Sequence, residues 1–250
     1  MKKLRQLVLL FTLLAWCAPA QADIALSGTA SQACIGGTPW TPVTISAFAV
    51  TNGDLILVGV HQRNEVVVDT VSGGGLTWTS IADVDHVDGY IGVALWRATA
   101  TSTTSFDITV ALPSNNQAAY VIAQAFSGVD TATNDGVEAV ASTAGISAND
   151  NDMLFSVTTV TANAWAVAVG STLSANLTIP GEETAIITNT NDTCTTFSGH
   201  MWYQGPVVTP ASTQLGALND LSAATDWCMI VVSLKPSSGA APARRRVAVF

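Results

Sequence analysis

Leu55-Ile-Leu-Val-Gly-Val60 and Trp165-Ala-Val-Ala-Val-Gly170 are the two stretches that decide the fold of this chain. Each is a short, continuous apolar run, and such a run predicts a strand that is buried on both faces. Trp227 to Val232 has the same character. Phe106 to Leu112 alternates instead between apolar and mostly small or polar residues, which predicts a strand with one solvated face. We therefore expect central strands at the first three positions.

The rest of the chain follows the same pattern, with β-branched or aromatic runs separated by clusters of Gly, Asn, Asp, Pro and Ser. No stretch has the 3.6-residue periodicity of an amphipathic helix. Fifteen strands are predicted, near 24–30, 43–49, 54–61, 65–71, 76–81, 90–99, 105–111, 119–127, 136–143, 153–158, 164–171, 184–190, 196–204, 212–218 and 227–234. They indicate an all-β fold, a two-sheet antiparallel β-sandwich that is jelly-roll-like.

The second half of the chain repeats features of the first. The two opening stretches lie 110 positions apart, and Ala94-Leu-Trp96 is matched by His200-Met-Trp202, 106 positions later. We expect two similar halves that contribute similar hairpins to one sandwich over residues 23–236, with 130–152 as the crossover. Two separate small sandwiches are the alternative.

The charge distribution excludes one class of partner. The mature segment 23–234 contains two basic residues, Arg63 and Arg97, and all eighteen acidic residues, a formal charge of −16. Such a surface repels phosphate backbones, so we expect no nucleic-acid binding. The 48% of hydrophobic residues excludes an intrinsically disordered chain.

Residues 1–22 are typical of an export signal. Lys2, Lys3 and Arg5 precede an apolar run, and Ala20-Gln-Ala22 resembles a small-residue cleavage site. The apolar run is too short to span a bilayer, and no later segment is apolar enough to do so. We expect a periplasmic, cell-surface or extracellular protein with no membrane span after cleavage.

Residues 237–250 differ from the body. A Pro/Ser/Gly/Ala linker leads into a basic triplet and an apolar end, Arg244, Arg245, Arg246, Val247, Ala248, Val249 and Phe250. One interpretation is a solvated tail. The other is an interaction arm, whose arginines bind an acidic surface of a neighbouring copy while the apolar strip adds to a sheet edge.

Three cysteines remain after cleavage, namely Cys34, Cys194 and Cys228. Export permits a disulfide, and the odd number leaves one thiol over. Cys34 and Cys194 both lie in turn-like surroundings and are the preferred pair. Cys228 lies in an apolar run and is expected to be a small buried side chain.

A further set of motifs carries a resemblance. They are Gly-Asp-Leu-Ile-Leu-Val (53–58), Leu-Thr-Trp-Thr (76–79), Val-Ala-Leu-Trp-Arg-Ala-Thr (93–99), Ala-Phe-Ser-Gly-Val-Asp-Thr (125–131), Val-Thr-Thr-Val-Thr-Ala-Asn (157–163) and Met-Ile-Val-Val-Ser-Leu-Lys-Pro (229–236). In this order they resemble a loosely defined family of jelly-roll-like domains in bacterial exported proteins and phage structural proteins. The resemblance implies a structural or binding role, and it supplies no catalytic residues.

Asp83-Val-Asp85-His-Val-Asp88-Gly89 is the best candidate metal site. Three carboxylates in six residues offer the oxygen ligands that Ca²⁺ prefers, although the spacing departs from that of an EF-hand loop. Calcium is the only cofactor that the sequence suggests. The alternative is an ordinary hairpin turn, since Asp and Gly are common turn residues.

Exposed aromatic residues are the other candidate for ligand binding. Trp40 lies between prolines, Trp78 follows a triple glycine, and Trp202-Tyr203 is an intermediate case. An indole face can stack on the apolar face of a sugar, which favours a glycan ligand. The other mature tryptophans lie in apolar strands and are expected in the core.

Catalytic motifs are missing from the sequence. There is no Gly-x-Ser-x-Gly elbow and no His-x-His pair, and no Ser or Cys motif accompanies the three histidines. The sequence thus predicts a non-catalytic structural or adhesive subunit of a cell-surface, extracellular or phage-like assembly. A carbohydrate-binding module, with or without calcium, is the first alternative, and a glycan-active hydrolase or lyase is the second.

Overall fold

The structure is a computed structural model, and it describes residues 21–36, 42–63, 68–86, 89–112, 118–145, 152–173, 177–179, 181–188, 197–215, 221 and 225–238. Within these ranges the chain forms fifteen strands and one short 3₁₀ turn, Asn134–Gly136. The predicted all-β sandwich fold is confirmed. None of the described elements is a helix of the length and apolarity needed to cross a membrane.

The observed strands each overlap a predicted one. Their bounds are β1 Ala25–Gly36, β2 Val43–Val50, β3 Leu55–Arg63, β4 Thr70–Ser72, β5 Thr79–Asp85, β6 Ile91–Thr99, β7 Thr104–Ala111, β8 Ala118–Ser127, β9 Val137–Gly145, β10 Phe155–Thr158, β11 Ala164–Thr172, β12 Thr184–Thr188, β13 Ser198–Val207, β14 Ser212–Leu215 and β15 Trp227–Leu234. All of the pairings between them are antiparallel. Strand β1 continues six residues past its predicted end, whereas β4 and β5 are shifted towards the C-terminus.

The strands form two large sheets and two small ones. One five-stranded sheet has the order β1-β8-β3-β6-β5, and the other has the order β12-β13-β11-β15-β9. A three-stranded sheet, β2-β7-β4, covers the outer face of the first, and the pair β10-β14 covers the outer face of the second. The result is two sandwiches that pack against each other through their five-stranded sheets.

The two halves of the chain have the same topology. If β1, β8, β3, β6 and β5 are matched with β9, β15, β11, β13 and β12, the two five-stranded sheets have identical strand orders. No described sheet mixes strands from the two halves. The prediction of two similar halves is therefore confirmed. Each half forms its own sheets, whereas the sequence indicated hairpins of both halves within one sandwich. Residues 130–152 contain β9, in agreement with the strand predicted at 136–143.

Three apolar layers hold the sandwiches together. The largest lies between the two five-stranded sheets, so the halves form one body instead of two independent domains. The other two lie inside the individual sandwiches. The central position of β3 follows from its sequence, because Leu55 and Leu57 enter the first layer while Ile56 and Val58 enter the second.

The internal repeat is also visible in the backbone of the turns before β3 and β11. Gly53 and Asn163, which lie 110 positions apart, both have positive φ, +89° and +62° respectively. Gly53 N donates to Ala100 O, and Asn163 N donates to Val207 O, in each case at the end of the equivalent strand. Gly and Asn are the residues that tolerate this left-handed conformation best, which explains their presence at the two positions.

A carboxylate accepts hydrogen bonds at each of these turns. The residue that provides this carboxylate has a different position in each half. In the first half, Asp54 within the turn accepts hydrogen bonds from Thr51 N at 2.8 Å and Ser27 Oγ at 2.6 Å. In the second half, Glu138 on β9 accepts bonds from Val160 N, Thr161 N, Thr161 Oγ1 and Ser233 Oγ. Glu138 therefore connects the edge strand β9 to the turn and to β15.

Replacing Glu138 by Ala is expected to destabilise the protein by about 2 kcal/mol or more, because partly buried donors lose a charged acceptor. Urea unfolding followed by circular dichroism measures the change. Glu182→Ala is the control, since that side chain is exposed and should shift the free energy of unfolding by less than about 0.5 kcal/mol. Equal effects of the two substitutions would contradict the anchoring role of Glu138.

Candidate functional site

A cluster of buried polar side chains lies on β3, β11 and β13, with one pair between the two five-stranded sheets and a second pair on the opposite face of the second sheet. His61 on β3 and Ser171 on β11 occupy equivalent positions in the two halves, and His61 Nδ1 lies 3.0 Å from Ser171 Oγ. His200 on β13 places its Nε2 atom 3.2 Å from Thr172 Oγ1. All four residues are completely buried. Sequence analysis missed this cluster because no local motif connects the four positions.

The direction of the hydrogen bonds determines what the His61–Ser171 pair can do. Ser171 Oγ donates its proton to the carbonyl oxygen of Gly92, at 3.1 Å. A hydroxyl has one proton to donate, so Ser171 Oγ must accept the bond from His61 Nδ1–H. His61 is then a donor towards Ser171 and cannot act as the base that activates its hydroxyl.

Two glycines provide the space for this cluster. A β-carbon at Gly199 would lie 2.8 Å from atoms of both the His61 and Tyr120 rings, a distance that the packing cannot accommodate. Gly92, which lies 107 positions before Gly199, contacts Ser171 through its carbonyl oxygen. Each half thus places a polar side chain from its central strand against a glycine of the other half.

Burial also determines the charge state of the two histidines. It lowers the pKa of His61 to about 3, with the neighbouring His200 ring adding to the effect. It lowers the pKa of His200 to about 3 as well. Both rings are therefore neutral at physiological pH, because a buried charge without a counter-ion is costly.

The cysteines partly follow the prediction. Cys228 is a free, buried thiol on β15, and burial, followed by the carboxylates of Asp85 and Asp226, raises its pKa to about 12. Cys34 on β1 is disulfide-bonded, and its partner lies outside the described residues. The pairing with Cys194 remains a prediction, since Cys194 also lies outside them.

The aromatic candidates that lie in the described ranges differ in how far they are buried. Trp78 is half-buried, and its indole N–H donates to Gly73 O at 3.2 Å. Trp202 is fully buried in the second sandwich and presents no face to solvent. Tyr203 is half-buried and stacks on Trp165, with ring centroids 4.4 Å apart. Trp40 lies outside the described residues, so these four side chains are not shown to form one stacking platform.

The acidic candidates lie on the edge strand β5. Asp83 and Asp85 are exposed there, two residues apart on an extended strand. Asp88 lies outside the described residues. In the part of the chain that the structure describes, no three His, Cys, Asp or Glu side chains are grouped to hold a metal ion. The calcium site stays a prediction, as do the contacts of the tail residues 244–250, which also lie outside the described ranges.

The structure reveals one cleft that sequence analysis did not identify. It has a volume of about 220 Å³ and is lined by Thr77, Thr79, Arg97, Ala98, Thr99, Thr101 and Asp135. Arg97 Nη2 pairs with Asp135 Oδ2 at 3.2 Å, which links β6 to the 3₁₀ turn between the halves. The threonines recur at alternate positions, Thr77 and Thr79 across the start of β5 and Thr99 and Thr101 across the end of β6, and that spacing was the available signal.

Comparisons with protein-family models, curated proteins and solved structures find no match to this chain.

Acid is expected to unfold the protein because of the two buried histidines. The unfolded chain binds a proton at each histidine below about pH 6.5, whereas the folded protein does so only near pH 3. Stability should therefore fall as the pH drops through this window, by about 1.4 kcal/mol per pH unit for each histidine. Urea unfolding at several pH values measures the slope.

His61→Gln should reduce this slope by about one proton, whatever its effect on absolute stability. Thr172→Val is the control, because it leaves both histidines in place. A slope that His61→Gln leaves unchanged would show that His61 is not buried as a neutral ring.

Proposed function

We propose that this chain is a non-catalytic, exported structural or adhesive protein, a subunit of a cell-surface, extracellular or phage-like assembly. The observation that carries the proposal is the burial of its reactive side chains. His61, Ser171 and Cys228 lie between the two sandwiches, and His200 lies inside the second one, so all four are buried away from solvent.

The chemistry of these groups agrees with this role. A general acid or base works best with a pKa near the operating pH, but the pKa values of the two histidines are about 3. A nucleophilic cysteine needs a thiolate, but the pKa of Cys228 is about 12. Their environment stabilises neutral side chains in the protein interior.

Two further features support export and assembly. The disulfide at Cys34 suits an oxidising compartment, in line with the export signal in residues 1–22. The acidic body and the basic tail have opposite charges, which favours contacts between copies. The resemblance to exported and phage structural domains points to the same role.

The test of assembly is the mass in solution of the mature chain 23–250 beside a version that ends at Ser238. The structure favours this end point over Lys235, because Ser237 N still donates to Gly128 O in the body. We expect 23–250 to form oligomers or filaments and 23–238 to be a monomer. Light scattering and electron microscopy distinguish them, and two identical monomers would refute the proposal.

Glycan binding at the threonine-lined cleft is the second candidate function. The volume of about 220 Å³ suits a single sugar ring, and the hydroxyls and the Arg97–Asp135 pair offer donors and acceptors for sugar hydroxyls. No tryptophan lines this cleft, so recognition would depend on hydrogen bonds instead of stacking.

If the cleft binds a sugar, Thr77→Val with Thr79→Val should weaken the affinity about thirtyfold, because two hydrogen bonds of roughly 1 kcal/mol each are lost. Calorimetric titration against a panel of monosaccharides measures this. Thr44→Val with Thr70→Val on the outer small sheet is the matched control. Failure of every sugar to bind, or an equal loss in the control, would remove this candidate.

A further inference from the structure

Strand β5 is an edge of the first five-stranded sheet. Its inner neighbour is β6, and no other described strand pairs with its outer side. The outward backbone groups of an edge strand can accept another strand, and this is a common mode of peptide recognition. Asp83 and Asp85 are exposed on this strand, so the edge is marked by negative charge.

This charge distinguishes β5 from the other edges. Among the described edge strands, β1, β2, β4, β10, β12 and β14 contain no charged residue. The carboxylate of Glu138 on β9 is occupied by the turn before β11. Only β5 therefore combines an open edge with exposed carboxylates in the part of the chain that the structure describes.

The tail has the complementary pattern. Arg244 and Arg246 are two residues apart, as are Asp83 and Asp85. Side chains two residues apart lie on the same face of a strand, so two arginines of an added strand would lie opposite two aspartates of β5. The apolar residues 247–250 have the composition of a strand.

We propose that residues 244–250 of one copy add to β5 of a second copy as an antiparallel strand. Arg244 then lies opposite Asp85, Arg246 lies opposite Asp83, and the apolar residues continue along β5 towards Thr79. This inference rests on the proposed assembly function and names the surfaces that would carry it.

Chain length favours a second copy over the tail's own body. The described chain continues past Lys235 to Ser237, whose N donates to Gly128 O just after β8, and β3 and β6 separate β8 from β5 in the sheet. Asp85 is level with Ala119 on β8, through the pairings with Gly92 and Gln62, and Gly128 lies nine residues further along, about 30 Å. The seven residue steps from Ser237 to Arg244 span at most about 25 Å.

A synthetic peptide of residues 239–250, titrated into the monomeric body 23–238, tests the docking itself. We expect binding that weakens with added salt. Asp83→Asn with Asp85→Asn should weaken it about five- to thirtyfold, since two cross-strand pairs of opposite charge are lost. Asp23→Asn with Glu182→Asn is the matched control, because it removes two exposed charges elsewhere and should change the affinity less than twofold.

A charge exchange in the full chain 23–250 tests the same contact in the assembly. Asp83→Arg with Asp85→Arg should abolish oligomers, and adding Arg244→Asp with Arg246→Asp should restore them. Oligomers that persist in the first variant, or peptide binding that the Asp→Asn pair does not weaken, would overturn the docking at β5 and leave the assembly function standing. Peptide binding at β5 in a full chain that stays monomeric would instead support the docking and refute the assembly function.

Discussion

The packing of β3 against β11 is the contact on which the rest of the structure depends. Each of these strands is the middle strand of its five-stranded sheet, and nearly every residue of both is completely buried. At their crossing a β-carbon on Gly59 would lie 3.0 Å from Val169 Cγ1, so the two backbones approach closely. Close-packed interiors tolerate little change in volume, which makes this contact sensitive to any larger residue.

The polar cluster beside this contact fixes the position of one sandwich relative to the other. Apolar side chains favour burial but accept several relative positions of two sheets. The bonds from His61 to Ser171 and from Ser171 to Gly92 join three strands of the two halves and require one position. Buried polar groups cost stability when they are unpaired, so sliding of one sandwich over the other is opposed by the loss of these bonds.

Much of this fold could be predicted from the sequence, for a clear physical reason. Hydrophobic periodicity reports which faces of a strand are buried, and the continuous run at Leu55–Val60 correctly predicts a central strand. Periodicity does not report what covers each face. That each half keeps its own sheets could therefore not be deduced, although the repeat was visible at a spacing of 110 residues.

The candidate site was harder to predict from the sequence, because periodicity does not report what covers each face of a strand. Trp202 is fully buried, whereas its counterpart Trp96, 106 positions earlier, is only half-buried. Similar local sequences in the two halves thus have different exposures, because exposure depends on residues distant in the sequence that cover each strand. The cleft around Arg97 and Asp135 joins residues far apart in the chain, and no local motif connects them.

The negative charges on the edge strand β5 also affect pairing between identical edges of two copies. Charged residues on an edge strand oppose pairing between identical edges, because Asp83 and Asp85 of one copy would approach those of the other. The same charges favour a strand that carries arginines. A body of formal charge −16 would otherwise repel its own copies at every orientation. In the proposed docking, the basic segment 244–246 would offset that repulsion at one edge, the one formed by β5.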